Sequence, residues 1–230
     1  IECICHTNDV HLHGRVSIIP YFCVKYNSKL HKMRISFHTL GCKLNYSETS
    51  QLRDQYEKLG HEIVPFGNET DAVIINTCTV TENADTECRK IIRKIQQVSP
   101  EAFIGVTGCY AQLKSHEIAS IPGVDAVIGT SDKLRIDEIV SDYSKRNKPE
   151  LHVSSVDDAI FSFSQSADED SRTRAFLKIQ DGCDYSCSFC TIPLARGKSR
   201  SIDISEIPNR IRQLEEQEYH EIILSGINLG

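Results

Sequence analysis

The sequence predicts an α/β protein in two parts: an N-terminal open parallel-sheet domain, then the first β/α unit of a partial (β/α) barrel. Three observations carry this. Short β-branched apolar runs alternate with helix-periodic stretches from Met33 to about residue 150, the pattern of a parallel sheet with helices on both faces. Three of those runs end on a turn that carries a cysteine. A second strand–loop–helix–strand unit spans 174–225, with its loop at the carboxyl end of the first strand, where (β/α) barrels place their chemistry.

The elements follow in order. Residues 1–32 show neither sustained helical nor alternating periodicity. Met33 is the only methionine and a strand-like run follows it at once, so Met33 reads as the initiator and 1–32 as a non-native or disordered upstream segment. Cys3, Cys5, His6, His11, His13 and Cys23 in that segment lack the paired spacing of a zinc finger. Arg34–Leu40 is the first strand. A helix from about Tyr46 to Leu59 puts Leu52, Tyr56 and Leu59 on one face, with Gly60 as its stop and Asn45 with Glu48 as a helix-start pair. Ala72–Asn76 is the next strand. The helix after it carries Ala84, Cys88, Ile91, Ile92, Ile95 and Val98 on one stripe, which makes Cys88 a core residue. Phe103–Thr107, a shorter helix, a strand at Ala126–Ile128 and a helix from about Lys133 complete the domain, 33–150. His38, His61 and His116 read as structural or solvated.

Residues 151–170 hold Asp157, Asp158, Asp168, Glu169 and Asp170, several serines and no Lys or Arg, with a short apolar patch at Ile160–Phe163. This reads as a linker. From 171 to 230, Arg174–Gln180 is a strand, a helix begins near Ser205 with Pro208 in its first turn, and Glu221–Ser225 is the next strand. A parallel strand wants a covering neighbour, so the sequence is expected to be a fragment lacking its C-terminal part.

Composition narrows the function. Hydrophobic residues at 40% and charged residues at 25% suit a globular chain. The apolar run Val16–Val24 is broken by Ser17 and Pro20, is too short to span a membrane and lacks the basic start and small-residue cleavage site of a signal peptide; the expected place is the cytoplasm, with no membrane partner. A net charge of −6 argues against an indiscriminate nucleic-acid coat. It leaves room for a local patch, and Arg196, Lys198 and Arg200 alternate just past the last clustered cysteine. Ten cysteines in such a chain point to metal binding or catalysis before disulfides.

The cysteines fall into two sets. Cys42, Cys78 and Cys109 each lie just past a predicted strand, about 30 residues apart, and ligand sites of open parallel sheets form at those carboxyl ends. Three thiolates with one open position suit an iron–sulfur cluster; the alternative is three buried structural cysteines. Asn76, before Cys78, is placed to orient that turn. The second set, Cys183, Cys187 and Cys190, has the spacing C-x3-C-x2-C. Three ligands on a short loop hold three irons of a cubane and leave the fourth open to chelation by the amino and carboxylate groups of S-adenosylmethionine. One electron then breaks a carbon–sulfur bond and yields a 5′-deoxyadenosyl radical, chemistry that belongs to the cofactor while the protein positions it. Phe189 is placed to pack beside the adenine. The rival is a zinc knuckle, which wants four closed ligands, and His220 lies thirty residues on.

The runs Leu40–Asn45, Ile75–Thr81, Gly108–Gln112, Lys178–Cys190, Ile192–Gly197 and Ser225–Asn228 together resemble the radical S-adenosylmethionine methylthiotransferases, from Met33 to the end of the chain. The resemblance implies a methylthiotransferase N-terminal domain and a truncated radical S-adenosylmethionine core. It implies that Cys42, Cys78 and Cys109 hold a second [4Fe–4S] cluster that delivers sulfur, and that Cys183, Cys187 and Cys190 hold the radical cluster. One S-adenosylmethionine methylates the sulfur, a second generates the radical, and the methylthio group joins the carbon that loses a hydrogen. Gly226 matches the family's glycine near the cofactor amino group. Gly41–Asn45 followed by Ser47-Glu48-Thr49 is similar to the branch acting on N6-threonylcarbamoyladenosine at position 37 of tRNA. The partners implied are a tRNA, met at its anticodon loop, whose unpaired bases a pocket enzyme can reach, and an electron donor protein. Arg196, Lys198 and Arg200 are candidate phosphate contacts there. The family's small C-terminal RNA-binding barrel is missing, so the fragment alone is expected to be inactive. Rival substrates are another tRNA adenosine or an aspartate of a ribosomal protein; a rival of another class is a non-catalytic metal-binding scaffold.

Overall fold

The computed structural model describes residues 32–78, 84–140, 142–157, 164–168 and 171–229. Cys3, Cys5, His6, His11, His13 and Cys23, the apolar patch at 160–163 and Glu169 and Asp170 lie outside them.

Six parallel strands form the first sheet, in the order β2-β1-β3-β4-β5-β6: β1 (Arg34–Thr39), β2 (Glu62–Ile63), β3 (Ala72–Thr77), β4 (Phe103–Gly108), β5 (Ala126–Ile128) and β6 (Glu150–His152). The central strands β3 and β4 are buried along their whole length, as parallel strands covered on both faces must be. Alternation along them separates two cores. Val73, Ile75, Ile104 and Val106 face α2 (Ala84–Val98), through Cys88, Ile92 and Ile95, and the short helices α3 (Cys109–Leu113) and α4 (Ser115–Ala119), through Tyr110, Ala111 and Ile118. Ala72, Ile74 and Phe103 face α1 (Lys43–Lys58), through Leu52 and Tyr56, together with Ile136 of α5 (Ile136–Ile139). Cys88 is fully buried, as its place on the stripe predicts.

Residues from 164 onward add a second sheet, ordered β11-β8-β7: β7 (Ser164–Asp168), β8 (Ser171–Lys178) and β11 (Glu221–Ser225). β8 and β11 run parallel, with Arg174 opposite Glu221 and Lys178 opposite Ser225, and α7 (Ile207–Glu216) packs Leu214 and Ile211 against Ala175, Leu177 and Ile222. This is the expected β–loop–α–β order. Between them lie the pair β9 (Gln180–Asp181) and β10 (Arg200–Ser201) and the helix α6 (Ile192–Arg196). Residues 32–230 cluster as one compact unit.

The structure departs from the sequence reading at three places. The stretch 151–170 is more than a linker: its first residues finish β6, where Gly129 N–H donates to the His152 carbonyl at 2.7 Å, and β7 pairs antiparallel with β8 while the Ser164 and Ser47 hydroxyls share a hydrogen bond of 2.9 Å. The helix from Lys133 is a 3-10 turn, Lys133–Arg135, followed by one turn of α5. α1 starts at Lys43, so Asn45 and Glu48 lie inside the helix and buried, where neither caps it. Among the described residues no helix is long and apolar enough to cross a membrane.

Candidate iron–sulfur site and its buried charge node

Parallel strands bring the first cysteine set to one sheet edge. Cys78 directly follows β3, Cys109 directly follows β4 and opens α3, and Cys42 stands three residues beyond β1 at the start of α1. Cys78 and Cys109 are buried and Cys42 is exposed. Two glycines make the approach possible. Gly41 has φ +104°, and a Cβ there would sit 2.3 Å from the Cys78 Cβ and 2.7 Å from its Sγ. Gly108 has the same φ, and its Cβ would stand 2.2 Å from the Thr77 carbonyl oxygen and 2.7 Å from the Thr77 nitrogen. Those are backbone atoms that cannot step aside, and left-handed φ adds strain for any side chain. Gly108→Ala is therefore expected to lower folding stability by more than ~1 kcal/mol in urea denaturation of the chain; an unchanged midpoint would show that the β3–β4 edge is slack.

Hydrogen bonds from one asparagine pair set these turns. Asn45 Nδ2 donates to the Leu40 carbonyl at 2.9 Å and the Thr77 carbonyl at 3.1 Å. Asn76 Nδ2 donates to the Asn45 carbonyl and to Thr49 Oγ1, both at 3.0 Å. The Cys42 thiol is lowered from 9.0 to about 5, first by a hydrogen bond with Cys78, against the effect of burial, and further by the Asn45 and Leu44 N–H groups and the Arg196 charge. No capping hydrogen bond to the Cys42 side chain closes at the start of α1. Thiolate is the metal-binding form of cysteine.

Behind these turns lies a buried charge node. Glu48, 3% exposed, accepts from Lys133 Nζ at 2.6 Å, Lys178 Nζ at 2.7 Å, Arg196 Nη1 at 2.9 Å and Arg196 Nη2 at 3.3 Å. Asp181 accepts from Arg196 Nη1 at 3.0 Å and pairs with Lys178 at 2.8 Å and Arg200 at 3.3 Å. Burial pushes both carboxyls up, but the cations, Arg196 first, outweigh it and hold both below their ordinary values. Arg196 also reaches Asn45 Oδ1 through Nη2 at 2.8 Å and Cys109 Sγ through Nε at 3.2 Å.

The second set lies in the loop between β9 and α6. Cys183 is half-buried, and Cys187 and Cys190 are exposed. The loop is braced at its base, where Cys183 N–H donates to the Gly197 carbonyl at 3.1 Å, and at its end, where Cys190 N–H donates to the Cys187 carbonyl at 3.1 Å. Phe189 stands wholly in solvent. Gly226 follows β11 and sits on Gln180, whose Oε1 accepts from the Ile227 and Asn228 N–H groups at 2.7 and 2.9 Å.

The basic trio splits, which corrects the sequence reading. Arg196 is 1% exposed and wholly engaged by the node, so it has no face for a phosphate. Arg200 folds back onto the Arg196 and Lys198 carbonyls at 2.6 and 3.0 Å. Lys198 alone of the three is exposed. Glu48, Lys133, Lys178 and Asp181 were missed as site residues. A signal for Glu48 exists: Asn45, Glu48, Leu52 and Tyr56 share one helical stripe, and a carboxylate on a buried stripe demands a partner.

The donor set fits iron–sulfur ligation in chemical type. Among the described residues no three His, Cys, Asp or Glu side chains stand close enough to hold a single metal ion. A cubane asks for less convergence, because each cysteine takes its own iron at a separate corner, and soft thiolates are its ligands. Apart from both sets, a hollow of about 700 Å³ lined by Phe37, His38, Tyr46, Arg53 and Phe66 opens beside α1, a size typical of small-molecule sites.

Comparison with known proteins bears on the chain as a whole. Residues 34–129 match the family described as Uncharacterized protein family UPF0004. The chain is 41% identical over 197 residues to the threonylcarbamoyladenosine tRNA methylthiotransferase MtaB of Bacillus subtilis (strain 168), covering 85% of this chain and 44% of that protein. It is 35% identical over 203 residues to the protein of the same name from Aquifex aeolicus (strain VF5), covering 86% and 48%. It is 29% identical over 211 residues to the tRNA-2-methylthio-N(6)-dimethylallyladenosine synthase of Clostridium tetani (strain Massachusetts / E88), covering 89% and 46%. The chain spans about half the length of these relatives.

Proposed function

From a chain that belongs to the methylthiotransferase family, we propose an enzyme that transfers a methylthio group to C2 of N6-threonylcarbamoyladenosine at position 37 of tRNA, in the cytoplasm. The observation that carries the reading is that the two cysteine sets meet at residues 196 and 197, where the buried Arg196 guanidinium donates to the Cys109 sulfur and the next carbonyl, that of Gly197, accepts from the Cys183 N–H. In this reading Cys42, Cys78 and Cys109 hold one [4Fe–4S] cluster, Cys183, Cys187 and Cys190 hold the other, and both work with S-adenosylmethionine and an electron donor protein. The bound groups supply the transferable sulfur and the one-electron cleavage of the sulfonium.

The chain's own residues supply placement. Asn45 and Asn76 fix the turns before Cys42 and after β3. Gln180 secures the Gly226–Asn228 segment, the proposed rest for the cofactor amino group, against the base of the radical loop. Phe189 is the proposed cover for its adenine, and its full exposure leaves the ring face open to one. Lys198 is the remaining phosphate contact of the basic trio. The substrate follows the names of the relatives at 41% and 35% identity over that at 29%.

Nucleoside profiling of bulk tRNA tests the substrate. A strain lacking the gene is expected to lose 2-methylthio-N6-threonylcarbamoyladenosine and accumulate its unthiolated precursor, with recovery on complementation. An unchanged level of that nucleoside, with loss of a methylthiolated dimethylallyladenosine instead, overturns the choice of substrate and keeps the reaction.

A further inference from the structure

We propose that Arg196 is a positioning residue that pins the Cys109 sulfur by an N–H···S hydrogen bond and gives the cluster of the first cysteine set a fixed cationic neighbour. The inference rests on the reading that Cys42, Cys78 and Cys109 hold iron and sulfide.

A guanidinium has five N–H bonds in one planar fork, and here each one has an acceptor. One goes to the Cys109 sulfur, two to Glu48, one to Asp181 and one to Asn45. A plane held by four oxygens cannot swing, so the fifth bond, Nε–H toward sulfur, is aimed by the other four. Lysine has three donors at one point and cannot reproduce that set. The acceptors come from α1, α3 and β9, so the fork crosses from the first sheet to the radical loop. Its main chain continues the brace, because the next carbonyl, that of Gly197, accepts from Cys183 N–H at 3.1 Å. Arg200 in turn donates to the Arg196 carbonyl at 2.6 Å.

The electrical consequence follows from burial. Arg196 is 1% exposed and Cys109 3% exposed, so little water screens the charge. Hydrogen bonds to cluster sulfurs and nearby net charge are main determinants of reduction potential. A cation and an N–H donor at one ligand sulfur favour the reduced, more negative state. Arg196 therefore raises the potential of that cluster.

The test uses the chain with Cys183→Ala, Cys187→Ala and Cys190→Ala, which leaves only the first set. The parent and its Arg196→Gln and Arg196→Lys variants are reconstituted anaerobically with iron and sulfide. The midpoint potential is then read by titration followed with electron paramagnetic resonance. Arg196→Gln leaves Glu48 and Asp181 facing Lys133 and Lys178, so the node keeps paired charges. The expected result is a reduced-to-oxidised ratio at fixed potential about tenfold lower in Arg196→Gln, a downward shift of about 59 mV for one electron. Arg196→Lys, which keeps the charge and loses the fork, falls between. Should Arg196→Gln lose its fold, Arg196→Lys carries the same comparison against the parent. Variants that load iron with the parent's potential overturn the inference, since a strap that only stabilises the fold would lower the melting temperature and leave the potential alone. A parent that takes up no iron overturns the reading of the cysteine set, and this inference with it.

Discussion

Glu48→Ala is expected to lower the folding stability of the chain by about 3–5 kcal/mol. The carboxylate is 3% exposed and its oxygens accept from Lys133, Lys178 and Arg196. These cations come from a turn after β5, the end of β8 and the end of α6. Removing the anion leaves buried cations in mutual repulsion and out of contact with bulk solvent. The loss exceeds that of an ordinary surface pair, ~0–1 kcal/mol, because there the freed groups return to solvent. Glu48→Gln isolates the charge, since it keeps the volume. Burial pushes the Glu48 carboxyl up, but Arg196, Lys133 and Lys178 together hold it well below its ordinary 4.5. A depressed carboxylate stabilises the fold above the unfolded pKa and loses that contribution as pH falls through the folded value. The wild-type chain should therefore lose stability below pH 4.5, with a slope shallower in Glu48→Gln by up to about 1.4 kcal/mol per pH unit. Asp181, shifted the same way, adds to the acid slope. Urea titrations at several pH values measure both quantities. A Glu48→Ala variant within ~0.5 kcal/mol of wild type, the range of surface substitutions, would mean that water reaches the node.

The node also marks where sequence reading stops. The strands were legible because burial on both faces forces β-branched apolar runs, as at Ala72–Thr77 and Phe103–Gly108. The cysteine placement was legible because strand ends are, and a parallel sheet aligns them. Glu48 was misread as a capping partner of Asn45 because spacing is local, whereas its true partners lie 85, 130 and 148 residues away. The same distance hid the fate of Arg196. Three basic residues after a cluster motif look like a phosphate patch until the acids that claim two of them are known to fold beneath. β7, Ser-Gln-Ser-Ala-Asp, has no apolar alternation to read, and its pairing with β8 makes it a strand. Residue-pair strands such as β2, β9 and β10 offer too few positions for any period.

Anaerobic reconstitution of the whole chain is expected to load about eight irons, two cubanes' worth, and about half after Cys42→Ala, Cys78→Ala and Cys109→Ala together. The complementary triple variant, Cys183→Ala, Cys187→Ala and Cys190→Ala, should retain the other half. Independence follows from how each set is held. Cys78 and Cys109 directly follow two central strands, whose cores lie on both faces of the first sheet and owe nothing to the thiols. The loop of Cys183, Cys187 and Cys190 is braced by backbone bonds at Cys183 and Cys190, which an alanine side chain leaves intact. Neither substitution should unfold the other site, and circular dichroism of the unloaded variants checks that. The same variants separate function from ligation. 5′-Deoxyadenosine released from S-adenosylmethionine by the full-length enzyme should survive loss of the first set and vanish with the second, while methylthio transfer to tRNA vanishes with either. Zinc in place of iron would end the radical reading, because zinc carries no electron; loss of all iron from either triple variant would mean one shared metal site in place of two clusters. Sulfur transfer would then have no separate donor in this chain.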